Sequence, residues 1–480
     1  MLEISVIGLG LVLMLADLFI PVERRKFIGY AAIAALGALL LMSLSGDGSC
    51  SQFGTAFGGA FINDGLSLFF KRFFIVAAIL VLFIAVEFSD RLAAISEYYS
   101  LIVFALAGML FAASSNDFAM LFVSIELITI TFYVLVSFQR GKVQSLEAGV
   151  KYLILGALSS AFMVFGIALI WGSTGQLNFN KLAGFLAQTP QVADSEIFLL
   201  GVLLVLVGLG FKIAAFPFQI WAPDVYQGAP TPTTAFLAVG SKAAGFVLLL
   251  RVLFTAVPSV TAHWGNLLIV ISGITILYGN LCALPQRNLK RLLGYSSISH
   301  AGYLLLGVAA LNASGQAAIL YYLAGYLFTV LAGFLVIALV MRHLDTEDIS
   351  GLAGLNQRSP LLAATMTISM VSLAGIPPLA GFFGKFLLLK SAVEAAQTTG
   401  NHGYYCLVFT ALAGVVISLY YYFGVIRVIY WSKEAKDLSA IELSGSAKAA
   451  AWICIAGIFW LGMFPNTVIN FAMQAVGLLK

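Results

Sequence analysis

Residues Gly208–Thr234 read GLGFKIAAFPFQIWAPDVYQGAPTPTT, and the fold follows from how that stretch is understood. It begins inside a long apolar run, and Lys212 sits deep in that run. A lysine at bilayer depth costs about 2.5–3.5 kcal/mol on insertion scales. Pro217 follows five residues later, frees a backbone carbonyl and bends the helix. Both faults in one helix are tolerated where the site faces protein or water rather than lipid. The stretch is therefore expected to be the centre of an ion path, and the rest of the chain its housing.

The composition agrees. Of 480 residues, 61% are hydrophobic and 10% are charged, against about 25% charged in soluble domains. Fourteen apolar runs are each long enough for the roughly 20-residue crossing of a bilayer. They lie near Leu2–Ile20, Phe27–Leu44, Leu66–Phe88, Glu97–Ala113, Phe118–Phe138, Ala148–Trp171, Ile197–Trp221, Thr234–Val257, Asn266–Leu284, Arg291–Leu311, Ala317–Met341, Leu361–Ala395, Tyr404–Tyr430 and Ala449–Phe464. The expected fold is an all-α polytopic membrane protein of about fourteen helices. The first run is read as a retained crossing, because Arg24, Arg25 and Lys26 follow it rather than precede it. The net charge of +4 is scattered over short loops, which argues against a nucleic-acid partner. Cys50, Cys282, Cys406 and Cys454 are far apart, so neither a disulfide framework nor an iron–sulfur or zinc site is expected. No nucleotide-binding loop and no haem-ligand spacing occurs.

Basic residues crowd one set of alternate loops: Arg24–Lys26, Arg91, Arg140 and Lys142, Arg287–Arg291, Arg342 and Arg358, Lys433 and Lys436. In the other set Lys181 stands nearly alone before Lys480. That bias puts the first set in the cytoplasm and both termini outside. Ala222–Thr233 falls on the cytoplasmic side without a Lys or Arg, which suggests a functional loop. Arg251 and the pair Lys71–Arg72 read as outer-side anchors.

The run Leu361–Ala395 contains SLAGIPPLAGFFGKF, with Pro377, Pro378 and Lys385. It is too long for one straight crossing and is expected to break at the proline pair. The Lys212 run is fourth of five in residues 97–257, and the Lys385 run is fourth of five in 258–430. Two blocks of five helices sit upside down relative to each other, and paired interrupted helices in opposed repeats point to a transport site. The expected organisation is residues 1–96 as helices one to three, the two inverted five-helix units, and 431–480 as a loop with helix fourteen.

Few ionisable groups lie well inside the runs: Glu126, Lys151, Lys212, Lys242, His300, Lys385 and Lys390. Burial disfavours a charged amine and a nearby carboxylate favours it. A carboxylate at Glu126 moving relative to Lys212 would therefore make the amine hold or release a proton. The bland alternative for Glu126 is a carboxylate bonded to Ser124 or Thr129. Lys242, flanked by small residues that favour close helix contact, is the next carrier rather than a snorkelling lysine. His300, among the hydroxyls of GYSSISHAGY, has an ionisation range suited to relay; its alternative is helix packing. Lys385 follows the second break. Lys151 and Lys390 are accessory candidates, Lys390 reading better as a snorkelling side chain.

NLKRLLGYSSISHAGYLLLG (Asn288–Gly307), GFKIAAFPFQIWAPDVYQGAPTP (Gly210–Pro232), SIELITI (Ser124–Ile130) and SLAGIPPLAGFFGKF (Ser372–Phe386) resemble the antiporter-like membrane subunits of respiratory complex I. The resemblance covers nearly the whole chain. It implies fourteen helices in two inverted units, with proton translocation coupled to quinone reduction elsewhere. NADH, FMN, iron–sulfur clusters and quinone would then be bound by partner subunits, and no cofactor or metal by this chain. The family's glutamate–lysine pair falls on Glu126 and Lys212, its bridging lysine on Lys242, its central histidine on His300 and its outward-half lysine on Lys385. The lysine at 385 separates the chain from the M-type subunit, which carries glutamate there. The absence of a long lateral helix before Lys480 separates it from the L-type. The resemblance implies M-, K- and J-type neighbours and a bacterial inner membrane. The alternative is a cation/proton antiporter subunit of the multisubunit sodium type, which shares the fold and the lysines.

Overall fold

The computed structural model describes residues 2–21, 24–45, 53–92, 94–344, 346–432 and 438–477. Cys50, Lys433, Lys436 and Lys480 lie outside the described residues. The chain starts with α1 (Leu2–Ala16), α2 (Lys26–Leu44), a short hairpin of β1 (Gly54–Ala56) and β2 (Phe61–Asn63), α3 (Gly65–Glu87), α4 (Ile95–Ala113), α5 (Phe118–Val136) and α6 (Val143–Thr174). It continues through α7 (Phe179–Gln188), α8 (Pro190–Ala193), α9 (Glu196–Ile213), α10 (Trp221–Gly228), α11 (Thr231–Phe236), a π-helical turn at Leu237–Ser241, and α12 (Lys242–Arg251). The last part holds α13 (Thr261–Ala283), α14 (Leu289–Ala309), α15 (Ala313–Leu344), α16 (Leu355–Arg358), α17 (Pro360–Ala374), α18 (Ala380–Thr399), α19 (Gly403–Trp431), α20 (Gly445–Met463) and α21 (Pro465–Gly477).

Each of the fourteen apolar runs coincides with a helix or a broken helix. Among the described residues twelve are long and apolar enough to cross a bilayer, and α1 and α17 are shorter apolar helices. The chain is a multi-pass membrane protein. Its helices sort by what surrounds them. The continuous segment Thr231–Ala256 is wholly buried, whereas the apolar window of α6 is 28% buried. A helix apolar all round belongs in the centre or in lipid; here α12, α14 and α15 take the centre, and α2, α6, α13 and α19 form the rim.

The two long broken runs are built alike. α9 ends on Ala214 in the left-handed region (φ 58°), and α17 ends on Gly375 (φ 85°). In each, the next residue reaches back five positions to a carbonyl, Ala215 to Gly210 at 2.9 Å and Ile376 to Val371 at 3.3 Å. This double capping satisfies orphan carbonyls at a helix end. Glycine adopts such a backbone freely, but an alanine does so only under constraint. Pro217 and Pro378 each follow three residues later, beyond the last helical turn. Pro217 thus ends its helix rather than bending it, and Pro377 and Pro378 sit in the expected gap.

Three short elements were not expected. The hairpin β1–β2 and the amphipathic α7 fold over one end of the bundle, where the Asn116 and Asn178 side chains both donate to the Gly59 carbonyl at 2.9 Å. α21 adds a helix after the last crossing. Three of the loops assigned to one side meet: Lys26 and Arg342 both bind Asp90, at 2.6 and 2.7 Å.

The outer-side anchors need correction. Arg251 is fully buried and forms a two-pronged pair with Asp64 at 2.8 and 3.1 Å, plus a bond to the Ala113 carbonyl at 2.9 Å. Lys71 is buried against Glu3 at 2.7 Å and Asn63 at 2.8 Å. Arg72 holds the Ser43 carbonyl at 2.5 Å. A charge near a helix end satisfied by a partner need not snorkel. These pairs instead tie α1, α2, α3 and α12 together. Asp64→Ala strands the Arg251 guanidinium and is expected to cost about 3–5 kcal/mol, whereas Asp64→Ala with Arg251→Met recovers most of it. Thermal unfolding of the purified assembly carrying each variant measures the difference.

Candidate functional site: a line of buried amines and hydroxyls

Four chargeable side chains lie at 5% exposure or less in the middle of the bundle: Lys212, Lys242, His300 and Lys385. Each needs an acceptor or donor, because a polar group without one is expensive in a dry interior. The helix breaks, hydroxyls and one π turn supply them.

Lys212 occupies the last turn of α9, and its amine donates to the Thr129 hydroxyl on α5. Thr129 passes its own proton to the Ile125 carbonyl at 2.6 Å. Glu126 stands three residues from Thr129, on the same side of α5 by helical spacing. It takes a 2.5 Å bond from Ser160 on α6. Among the described residues Glu126 and Lys212 form no direct ion pair, though the carboxylate acts electrostatically on the amine. Glu126 therefore stands one helical turn from Thr129, the residue that Lys212 contacts. The half-buried Glu126 turns to the hydroxyl that α6 offers, and Thr129 fills the place beside the amine. Ser124 binds the Leu121 carbonyl and not Glu126.

Lys242 begins α12 immediately after the π turn. α12 packs closely on α9 at Gly245, whose Cα direction faces Ile213 and the Lys212 side chain. The Lys242 amine donates to the Ser297 carbonyl at 2.5 Å and to the Ser297 hydroxyl. Two phenols share that hydroxyl, Tyr226 from α10 at 3.0 Å and Tyr326 from α15 at 3.1 Å. His300 lies one turn further along α14. Its Nδ1 meets the Tyr322 hydroxyl at 2.5 Å and its Nε2 meets the Tyr422 hydroxyl at 3.0 Å. Tyr422 closes on Ser296 at 2.5 Å. An imidazole with a phenol at each nitrogen can take a proton at one side and release it at the other.

Lys385, in the second turn of α18, donates to the Leu373 and Ala374 carbonyls at 2.8 and 3.1 Å. Those carbonyls are left free by the end of α17, a negative helix terminus that suits an ammonium. Its Nζ also lies 5.1 Å from the Tyr303 ring centre, within cation–π range. At the first break the Phe211 carbonyl takes the Trp221 indole at 3.0 Å, and Lys212 reaches across to α5 instead of to a carbonyl of its own helix end.

Lys151 and Lys390 are elsewhere. Lys151 is 43% exposed and binds Glu147 and Asp224, both at 2.8 Å. Arg291 takes the other oxygen of Asp224 at 2.6 Å. The loop without cations is thus clasped by cations from α6 and α14. Burial alone would raise the Asp224 carboxyl, but the hydrogen bonds and charges of Lys151 and Arg291 outweigh it and hold it below the usual carboxylate value of 3.8. Lys390 is 59% exposed and, among the described residues, reaches only Glu394, at 3.6 Å. The hydroxyl partners Ser160, Ser297, Tyr226, Tyr322, Tyr326 and Tyr422 were not singled out from the sequence. A tyrosine inside an apolar run usually finds a partner for its hydroxyl, but the sequence does not say which tyrosines converge on one site.

A family profile described as NADH:quinone oxidoreductase/Mrp antiporter, TM, matches residues 115–418. The chain belongs to this family of membrane subunits. A protein named NADH-quinone oxidoreductase subunit N from Desulforamulus reducens is 38% identical over 474 residues, 98% of this chain and 96% of its own. The protein of the same name from Moorella thermoacetica is 38% identical over 474 residues, covering 98% and 97%. A chain of respiratory complex I from Thermus thermophilus superposes with a TM-score of 0.81 at 32% identity, over 98% of this chain and 99% of that one. A chain of the Mrp complex from a Dietzia species gives 0.83 at 21% identity, a likeness of fold alone.

The folded Asp224 value lies below the unfolded one, so its contribution is complete above pH 3.8 and is lost as pH falls through the lowered value. Amide exchange across residues 221–228 is expected to be flat in protection from about pH 5 to 8 after correction for intrinsic rates. Asp224→Asn should lower protection throughout that range.

Proposed function

We propose that this chain is an N-type proton-translocating membrane subunit of a type I NADH:quinone oxidoreductase. It sits in the bacterial cytoplasmic membrane with both termini outside, beside M-, K- and J-type subunits. NADH, FMN, iron–sulfur clusters and quinone belong to partner subunits. Residues 97–257 and 258–430 act as two inverted five-helix units, one for uptake and one for release. Glu126, Lys212, Lys242, His300 and Lys385 carry the protons.

The observation that carries this reading is a pair of hydrogen-bonded clusters one turn apart on α14, the Lys242 amine with Ser297, Tyr226 and Tyr326, and His300 with Tyr322 and Tyr422, brought together by the Tyr326 ring 5.1 Å from the imidazole. Helix packing at Gly245 puts Lys212 beside it on one side, and Lys385 approaches through Tyr303 on the other. Such a row in the bilayer interior serves proton transfer better than structure, because apolar packing would hold the helices at lower cost. A proton arriving on Lys212 raises the charge facing Lys242. Glu126, one turn from the Lys212 contact, favours the charged amine when its own charge is near and releases it when that charge is drawn toward Ser160.

The sodium-type antiporter reading shares the fold. The relatives named subunit N match at 38% identity over nearly full length, which favours the oxidoreductase assignment.

Lys242→Ala is expected to lower quinone-coupled proton pumping in proteoliposomes by roughly tenfold, or about 1.4 kcal/mol, with the assembly intact. Lys390→Ala should change it by less than about twofold, and equal effects would remove Lys242 from the relay. Glu126→Ala should reduce both turnover and proton uptake; an unchanged ratio of protons to electrons at full turnover would exclude it.

A further inference from the structure

An apolar cavity lies outside the amine line. It occupies about 190 Å³ between α9 and α13. Leu203, Leu206 and Ile213 form one wall and Trp264, Leu268 and Ile271 the other, each set at helical spacing along one face. Its inner end is the helix break, at Pro217. Every lining residue is apolar, and Trp264 is the one among them whose side chain carries a polar hydrogen. Trp264 is 9% exposed, and among the described residues its buried Nε1 has no hydrogen-bond partner. A donor in that condition calls for an acceptor.

The surroundings identify the acceptor's source. Leu200, Leu267, Val270 and Ile274 around the cavity are 38–56% exposed, so this face meets hydrocarbon. Trp264 lies in the first turn of α13, the interfacial level at which tryptophans sit in membranes. The α9 wall from Leu203 to Ile213 runs ten residues, about 15 Å, from the Trp264 level toward the bilayer centre. The volume is well below the roughly 300–1,000 Å³ of a drug-sized site and suits a slender chain.

We propose that this cavity is a binding site for one acyl chain of a membrane phospholipid. Its ester carbonyl accepts the Trp264 indole proton, and its hydrocarbon tail packs against the break at Ala215–Pro217. The lipid thereby fills the lipid-side gap left where α9 stops, on the opposite side of the break from the Lys212 amine's contact with α5.

The test uses the intact assembly in proteoliposomes containing a phosphatidylcholine with a photoreactive diazirine on one acyl chain. Peptides spanning 203–213 and 264–271 should be labelled about fivefold more than the exposed face of α6 at Leu153, Ile154 and Leu158. Trp264→Phe, which keeps the ring and loses the donor, should lower labelling at the cavity by about fivefold, the scale of one net hydrogen bond. Leu206→Trp fills the space and should lower it at least as far, with α6 labelling unchanged as the control for folding. Labelling at the α6 level, or labelling indifferent to both substitutions, overturns the site. Competition by a long-chain quinone at low molar ratio overturns the phospholipid assignment. Labelling that appears only after the subunit is dissociated overturns it as well, since a neighbouring subunit would then cover this face.

Discussion

An ammonium group in hydrocarbon must be met by an oxygen, and in this chain that requirement shapes the backbone. A continuous helix offers few acceptors inside the bilayer, since each carbonyl already accepts one internal bond. The structure frees them by stopping helices midway. α17 ends at Ala374, and two of its last carbonyls hold the Lys385 amine. α9 ends at Ile213, its Phe211 carbonyl goes to Trp221, and Lys212 is directed to the threonine of α5. Lys242 takes the third solution, a π turn before it and a serine opposite. Such turns are often found at functional positions.

The other half of the constraint is insulation. Lys212, Lys242 and Lys385 have hydroxyl or carbonyl partners, and among the described residues none has a carboxylate in contact. A direct carboxylate pair would hold an amine charged; neutral oxygens satisfy it in either protonation state. Direct ion pairs are instead found toward the ends of the bundle: Asp64 with Arg251, Glu3 with Lys71, and Asp224 with Lys151 and Arg291. There they fasten α1, α3, α6, α12 and α14, and they leave the middle free to change charge. Glu126 stands at the border of the two regimes, bonded to Ser160 yet one turn from the Lys212 contact.

Much of this was legible in the residues. A long apolar run is a strong signal, so each of the twelve described helices long and apolar enough to cross a bilayer falls on an expected run, and the proline pair predicted the second break. Lysines inside such runs are rare enough to name themselves. Four kinds of information were not legible. The partner of Glu126 lay on another helix, Ser160, and only packing could choose it over Ser124. The tyrosines around His300 looked like ordinary apolar content, because Tyr322, Tyr326 and Tyr422 gain their meaning from converging on α14. Arg251 and Lys71 read as anchors because their carboxylate partners, Asp64 and Glu3, are distant in sequence and sit at element ends. The hairpin and α7 were lost in loops whose short length carries little periodicity.

The central claim is that the buried amines gain and lose protons as quinone is reduced. Infrared difference spectra of the assembly, recorded on quinone reduction with ¹⁵N-lysine incorporated, read that event directly. The account predicts isotope-shifted lysine bands that shrink in Lys212→Arg, where the replacement cannot release its proton near neutral pH. Spectra with no isotope-sensitive lysine band, in an assembly that reduces quinone and pumps normally, would contradict it.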